Sequence, residues 1–189
     1  MALGAPGLDH YNAPFGEGGD MQRIPDLLTL SRGLIALTIL GLGFVGPDAL
    51  PTVLILTMVG WTTDILDGRI ARRIQKPPSW VGEKEFAFDM LMVFAGLCYL
   101  VLSGLIPFEP AIAYVAVAAA CIAYFRSKAV TMSFATPIVA LPLIVAYFRA
   151  PTVLLWYIVW IVAALALDWK RFKNVVLEFI ENTKRLVRR

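Results

Sequence analysis

Histidine and cysteine, which form most zinc sites and all disulfides, are scarce in this chain. Its 189 residues include one histidine and two cysteines. His10 lies in a stretch rich in glycine and proline, where we interpret it as a solvated surface residue. Cys98 and Cys121 lie within apolar runs, so we expect separate thiols rather than a disulfide. The sequence therefore favours neither a disulfide framework nor a metal site built on histidine.

Charged residues are also scarce, at 16% of the chain, while 59% of the residues are hydrophobic and the mean hydropathy is +0.72. A soluble domain of this length has roughly 45–50% apolar and about 25% charged residues. Six long apolar runs carry the excess, at 27–46, 51–67, 86–106, 109–125, 132–148 and 151–168. Several approach the roughly 20 residues that a transmembrane helix needs. We predict an all-α, polytopic membrane protein with six transmembrane helices.

The chain divides into three parts by composition. Residues 1–20 are rich in glycine and proline and show little periodicity, so we expect a disordered leader. Residues 21–168 hold the six-helix transmembrane domain. Residues 169–189 form a basic tail in which apolar residues recur at helical spacing, as in Phe172, Val176 and Phe179. That pattern is typical of an interfacial amphipathic helix on an anionic leaflet, although packing on the underside of the bundle explains it equally well. The opening stretch IPDLLTLSRG suggests a shorter helix of the same kind.

Lysine and arginine indicate the orientation of the spans. When the ends of the six runs are assigned alternately to two sides, Arg149 alone among the 17 basic residues falls on the second side. Cytoplasmic loops carry the excess of basic residues. We therefore expect a multi-pass protein of the cell membrane with both termini in the cytoplasm. Because the basic residues follow the membrane face and form no separate surface, we expect no nucleic-acid partner.

Four carboxylates lie where the second run ends and the third begins. Asp64 and Asp67 are three residues apart, and Glu85 and Asp89 are four apart, so each pair shares one face of a helix. Ionisable groups at the edge of a bilayer are costly unless they bind something positive. Oxygen ligands suit Mg²⁺ or Mn²⁺ rather than Zn²⁺. We predict a divalent-metal site on the cytoplasmic side, formed by Asp64, Asp67, Glu85 and Asp89.

The residues after Asp67 suit a phosphate ligand. Gly68 and Ala71 keep one helix face thin, and Arg72 supplies a permanently charged fork for phosphate oxygens. A metal that bridges phosphate oxygens, together with a carboxylate that takes a proton from a hydroxyl, indicates substitution at phosphorus with a nucleotide-activated donor.

At these residues the sequence resembles the CDP-alcohol phosphotransferase family, loosely in the manner of bacterial phosphatidylglycerophosphate synthases. The family pattern is D-x-x-D-G-x-x-A-R, eight residues, then G-x-x-x-D-x-x-x-D. The first half matches at every defined position: Asp64, Asp67, Gly68, Ala71 and Arg72. In the second half Asp89 matches, whereas Val81 replaces the glycine and Glu85 replaces the third aspartate.

The resemblance implies a six-helix bundle, usually a homodimer, with two divalent ions. It implies metal ligation by Asp64, Asp67, Glu85 and Asp89, with Asp89 also as the base for the acceptor hydroxyl. Gly68, Ala71 and Arg72 would hold the CDP group. In the same family basic residues near Arg126 bind the phosphate of the acceptor, although Arg126 also reads simply as the cationic flank of a span. The donor would be CDP-diacylglycerol or another CDP-alcohol, the acceptor a small polar alcohol such as glycerol 3-phosphate, and CMP would leave.

Two other functions remain compatible with the pattern. The Val81 and Glu85 departures are compatible with a weakened or inactive relative that still binds CDP-lipids. A transporter lined by carboxylates is a poorer match, because the acidic residues gather at one membrane face.

Overall fold

The computed structural model describes residues 18–74 and 79–187, and its secondary structure there is entirely helical, with no strand. One turn of 3-10 helix, Pro47–Ala49, lies between the first two α-helices. The eight α-helices are α1 (Gly18–Leu42), α2 (Leu50–Arg73), α3 (Trp80–Glu83), α4 (Glu85–Leu102), α5 (Phe108–Phe125), α6 (Lys128–Arg149), α7 (Pro151–Leu167) and α8 (Trp169–Val187). The predicted all-α class is confirmed.

Five helices are long and apolar enough to cross a bilayer: α1 from Arg23, α2 with the preceding 3-10 turn, α4, α5 and α6. The 17 residues of α7 rise about 26 Å at 1.5 Å per residue, slightly less than the ~30 Å hydrocarbon core. A bend of 86° separates α7 from the Phe172–Glu181 part of α8, and the two together pass as a sixth span by length and composition. The protein is therefore a polytopic membrane protein with five to six spans.

The N-terminal boundaries differ from the sequence-based ones. Helix α1 begins at Gly18, inside the segment expected to be a disordered leader, and the rest of that segment, residues 1–17, lies outside the described residues. The stretch 24–33 continues into the first span without a break, so it is not a separate interfacial helix. The helix ends at Leu42 rather than at residue 46, because a glycine-containing turn follows. Gly46 in that turn has a φ of 106°, a conformation that glycine adopts at little cost.

Helix α1 is the centre of the bundle and packs most extensively against α2 and α4. The best-buried apolar side chains lie toward the C-terminal end of α1, where α2 begins and α4 ends. They are Ile39, Leu50, Leu54, Tyr99 and Leu100. The Tyr99 hydroxyl donates to the carbonyl of Gly46 over 3.2 Å, which satisfies its polar end. This end of the bundle is therefore closely packed.

A close approach between α1 and α4 occurs at Gly33. A Cβ atom at this position would lie 3.0 Å from a ring carbon of Phe88. Such a distance is shorter than ordinary van der Waals contact, so a larger residue would push the two helices apart. The absence of a side chain at Gly33 thus allows α1 and α4 to approach each other closely at this level.

Large apolar side chains remain exposed on the outer surface of the bundle, including Phe94, Leu155, Trp156, Ile158 and Val162. Many exposed large apolar side chains on long apolar helices are expected where a bundle contacts the hydrocarbon core of a membrane. On the inner side of α7, the indole Nε1 of Trp160 donates to Oγ1 of Thr62 over 3.0 Å. This hydrogen bond fixes α7 against α2. The two cysteines are free thiols, as expected.

Candidate metal and substrate site

The carboxylates predicted from sequence converge where α2 ends and α4 begins. Asp67 is buried, with a side chain that is 4% exposed, whereas the side chains of Asp64 and Asp89 are 15% and 22% exposed. One ligand oxygen from each of Asp64, Asp67 and Glu85 lies within 4.8 Å of the others. The two helices therefore bring three of the four predicted metal ligands together directly.

The buried oxygen Oδ1 of Asp67 has no hydrogen-bond partner among the described residues. A buried carboxylate oxygen without a partner is costly. This orphaned atom and the neighbouring carboxylate oxygens form a hard-oxygen donor set, which fits a divalent ion such as Mg²⁺ or Mn²⁺. The longer side chain of Glu85, which replaces the family's third aspartate, still reaches the cluster.

The fourth carboxylate joins the cluster through Arg32, which sequence reasoning counted only among the cytoplasmic basic residues. Its side chain is fully buried, and Nη1 donates to Oδ1 of Asp64 over 2.7 Å. Nη1 also donates to Oδ1 of Asp89, and Nη2 donates to Oδ2 of Asp67 over 2.6 Å. One guanidinium thus contacts three carboxylates. The sequence did contain an indication of this role, because an arginine inside an apolar run needs a partner of opposite charge.

Thr29, one turn before Arg32, completes the buried network. Its Oγ1 lies 3.0 Å from Oδ2 of Asp67 and accepts a hydrogen bond from Nη2 of Arg32 over 3.2 Å. Thr29 is itself buried. Oδ2 of Asp67 therefore has two polar partners, in contrast to Oδ1 of the same carboxylate.

The segment before α4 contains an additional helical turn, α3, which lies between the second and third apolar runs. Ser79 caps it by accepting from the backbone N–H of Gly82 over 3.1 Å, and its hydroxyl donates to Oδ1 of Asp26 over 2.8 Å. Val81, at the family's glycine position, is half-buried within this turn. The hydrogen bond from Ser79 to Asp26 ties the turn to α1.

Residues expected to hold the nucleotide follow the carboxylates on the last turns of α2. Gly68 and Ala71 are half-buried and Arg72 is exposed. Arg72 lines a polar recess of about 350 Å³ with Arg69, Arg73, Leu167 and Asp168. Arg69 donates from Nη2 to the carbonyl of Leu167 over 3.1 Å, so α2 is joined to the bend between α7 and α8. Arg126 lies apart in sequence, at the end of α5, where its φ is 47° and its side chain is exposed.

An apolar cavity of about 630 Å³ begins beside Asp64 and continues between α2, α6, α7 and the start of α8. Its walls include Trp61, Leu143, Tyr157, Ala164 and Phe172. Two carboxylates, those of Asp64 and Asp168, also line it. Such a cavity fits an amphipathic ligand, because apolar chains would contact the apolar side chains and a polar group would lie near the carboxylate of Asp64. The sequence analysis did not foresee it, since four separate helices form its walls.

The geometry describes a membrane-embedded helical bundle with an oxygen-ligand cluster beside an apolar cavity and an arginine-lined recess. The family model for CDP-alcohol phosphatidyltransferases matches residues 22–177, and the chain belongs to this family. The family's reaction transfers a phosphatidyl group from a CDP-alcohol to an alcohol acceptor within a membrane environment, generally with a divalent metal. The resemblance drawn from the sequence is thereby confirmed. No curated protein and no solved structure matches the chain.

Proposed function

We propose that this protein is an active, Mg²⁺- or Mn²⁺-dependent transferase that moves a phosphatidyl group from CDP-diacylglycerol to a small polar alcohol and releases CMP. The observation that carries the proposal is the cluster of Asp64, Asp67 and Glu85 in a chain of this family. Within the described part of the chain, the buried Oδ1 of Asp67 in this cluster has no hydrogen-bond partner. Glycerol 3-phosphate is our preferred acceptor, from the resemblance to phosphatidylglycerophosphate synthases. The pathway is then phospholipid synthesis.

The carboxylates of Asp64, Asp67, Glu85 and Asp89 are the groups that would hold two divalent ions. Bound there, the ions supply positive charge that offsets the negative charge of a diphosphate. Arg72 adds a guanidinium at the mouth of the polar recess, where it is exposed and able to contact phosphate oxygens. The half-buried Gly68 and Ala71 lie on the same helix and leave room for the nucleotide.

Asp89 is our candidate for the base that accepts the proton of the acceptor hydroxyl. Among the three carboxylates that contact Arg32, it is the most exposed, so an acceptor can approach it. Arg32 fixes one of its oxygens, which orients the carboxylate. The acceptor oxygen then attacks the phosphorus that bears diacylglycerol. The bond from that phosphorus to the bridging oxygen breaks, and CMP leaves with the bridging oxygen.

The apolar cavity supports a lipid as the donor. It extends from Asp64 between membrane-spanning helices, so acyl chains in the cavity would place the diphosphate near the carboxylates. Arg126 is our candidate for the phosphate of the acceptor, as the family resemblance implies. Its position at the end of α5 agrees with this role, because α5 returns toward the membrane face from which α4 begins.

An inactive CDP-lipid-binding relative is the alternative. The position of Glu85 favours activity, since its carboxylate remains within the metal-ligand group despite the extra methylene. We further propose that the protein is a homodimer in the cell membrane with its termini and site in the cytoplasm. The dimer rests on the family resemblance, and the orientation rests on the distribution of lysine and arginine.

The deciding experiment measures CMP release by the purified protein in detergent, with CDP-diacylglycerol, Mg²⁺ or Mn²⁺, and glycerol 3-phosphate, inositol phosphate or serine. We expect release that depends on one acceptor and stops with a chelator. Asp89→Asn should lower the rate by about 10²–10⁴-fold, as expected for loss of a general base. Asp48→Asn is the matched control, because Asp48 is exposed at the other end of the bundle. Binding of CDP-diacylglycerol with no CMP release in the presence of any of these acceptors would instead establish the inactive relative.

A further inference from the structure

Arg32 occupies the centre of the carboxylate cluster rather than its edge. Its two terminal nitrogens contact Asp64, Asp67 and Asp89, which belong to two other helices. The side chain of Arg32 is fully buried, so its charge is balanced by these carboxylates rather than by water. A single guanidinium from α1 therefore joins the ligand-bearing faces of α2 and α4.

The charges in this cluster are unequal. Asp64, Asp67, Glu85 and Asp89 supply four carboxylates, whereas Arg32 supplies one positive charge that contacts three of them. Uncompensated carboxylates held together in a medium of low dielectric constant repel one another strongly. The guanidinium offsets part of this repulsion and joins α1 to both helices that carry the carboxylates.

The oxygens of Asp67 divide between two environments. Oδ2 receives hydrogen bonds from Arg32 and Thr29, while the buried Oδ1 has no partner among the described residues. A divalent ion can therefore use Oδ1 without displacing the guanidinium from Oδ2. At Asp64 and Asp89, a single nitrogen of Arg32, Nη1, contacts Oδ1 of both carboxylates.

We infer that Arg32 is the built-in counter-ion of the metal centre: it holds the carboxylates of Asp64, Asp67 and Asp89 together before the metal arrives, and its charge weakens metal binding. The inference rests on the metal centre of the proposed function, but it does not depend on the transfer reaction. Arg32 is in this sense a positioning residue. It sets the affinity for the metal and contacts neither donor nor acceptor.

The guanidinium of Arg32 and a bound cation repel each other, so removal of Arg32 should have opposite effects on stability and on metal affinity. Removal of the positive charge should destabilise the metal-free protein and, at the same time, strengthen binding of a divalent cation. A residue with only a packing role would lower stability equally with and without metal. The coupling between Arg32 and the metal therefore separates the two roles, as in a double-mutant cycle.

The test uses the full chain, purified in detergent, in wild-type form and as Arg32→Gln, Arg32→Lys and Arg149→Gln. Thermal unfolding midpoints are measured in EDTA and in saturating Mn²⁺, and Mn²⁺ affinity is measured from the free-ion electron paramagnetic resonance signal. We expect Arg32→Gln to bind Mn²⁺ at least about tenfold more tightly, because loss of a like charge a few ångströms away favours the cation. Its midpoint should rise with Mn²⁺ at least about twice as much as that of the wild type.

The other two variants separate charge from shape. Arg32→Lys keeps the charge, so its Mn²⁺ affinity should stay within about threefold of the wild type. Arg149→Gln removes a positive charge at the opposite end of the bundle and should behave as the wild type does. Mn²⁺ affinity in Arg32→Gln that is unchanged or weaker would overturn the inference. The inference would also be overturned if the unfolding midpoint of the wild-type protein did not change with Mn²⁺. The proposed transfer reaction is tested separately, by acceptor-dependent CMP release.

Discussion

The guanidinium of Arg32 donates to the carboxylate of Asp67 over 2.6 Å, and the two residues are 35 positions apart in the chain. The side chain of Arg32 is fully buried and that of Asp67 is 4% exposed. Breaking a buried ion pair by removing one partner typically costs about 3–5 kcal/mol, since the other charge is left without compensation. This contact therefore joins the stability of the bundle to the geometry of its candidate metal centre.

The hydrogen bond from Thr29 to Asp67 should contribute measurably to stability. Thr29→Val keeps the shape of the side chain but removes a buried partner of a charged oxygen. We expect a loss of about 1.5–3 kcal/mol in the free energy of unfolding, the range for hydrogen bonds to charged groups. Denaturant titration in detergent, followed by tryptophan fluorescence, measures it. Thr38→Val is the control, because Thr38 is exposed on the same helix and its hydroxyl donates to the carbonyl of Leu34. Equal losses in both variants would show that the contact with Asp67 contributes nothing specific.

The length of Glu85 should matter less than its charge. Glu85→Asp restores the residue expected at the family's third aspartate position, and we expect CMP release within about threefold of the wild type or above it. Glu85→Gln removes a charged metal ligand and should lower the rate by at least about 10-fold, in line with the 10–100-fold effects seen around metal sites. Initial rates across a Mg²⁺ and Mn²⁺ titration distinguish lost affinity from lost turnover. Glu109→Gln, at an exposed acidic position near the start of α5, is the control. A Glu85→Gln protein with wild-type rates at all metal concentrations would remove Glu85 from the site.

The close approach at Gly33 should be required for the position of Arg32. In Gly33→Val the added atoms meet the ring of Phe88, and overpacking of this kind costs about 1–3 kcal/mol. We expect a lower unfolding midpoint together with reduced CMP release, because α1 and α4 carry Arg32 and Asp89. Adding Phe88→Leu should recover part of both losses. Gly41→Val is the control, since a Cβ atom at Gly41 has nothing within 4 Å. Failure of Phe88→Leu to restore either property would mean that the contact with Phe88 is not the cause.

Filling the apolar cavity should discriminate between donors with long and short acyl chains. Ala164→Phe places a ring in the cavity wall beside Trp61 and Tyr157. We expect the KM for a long-chain CDP-diacylglycerol to rise at least about fivefold, with a much smaller change for a dihexanoyl donor. Val162→Phe adds the same ring on the exposed side of the same helix and should leave both values unchanged. If Ala164→Phe has the same effect with both donors, the acyl chains do not occupy this cavity.

Local patterns were sufficient to predict the helical class and much of the candidate site. Long apolar runs indicated the spans, and the spacing of Asp64 with Asp67 and of Glu85 with Asp89 indicated which carboxylates share a helix face. The family model confirmed the resemblance that these residues carry. Such features depend on neighbours within one or two helical turns, so they are visible in the sequence.

The contacts of Arg32 were not predicted, because they depend on how α1 packs between α2 and α4. From sequence alone, a basic residue near the end of a span is interpreted as one of the residues that face the cytoplasm. Only the positions of the neighbouring helices show that Arg32 is buried among carboxylates. The apolar cavity escaped prediction for the same reason, since α2, α6, α7 and α8 each provide part of its wall. The continuity of α1 through Pro25 was also missed, although the helix accommodates this residue. In each case the deciding interaction joins residues that are distant in sequence.

The closely packed end of the bundle, with Ile39, Leu54 and Tyr99 at its core, lies opposite the carboxylates. Under the proposed function, donor and acceptor would therefore approach Asp89 from one face of the membrane, and the lipid product would form in the leaflet that supplied the donor. Synthesis at this site would add mass to that leaflet alone, so growth of the bilayer would depend on how fast lipid moves across it.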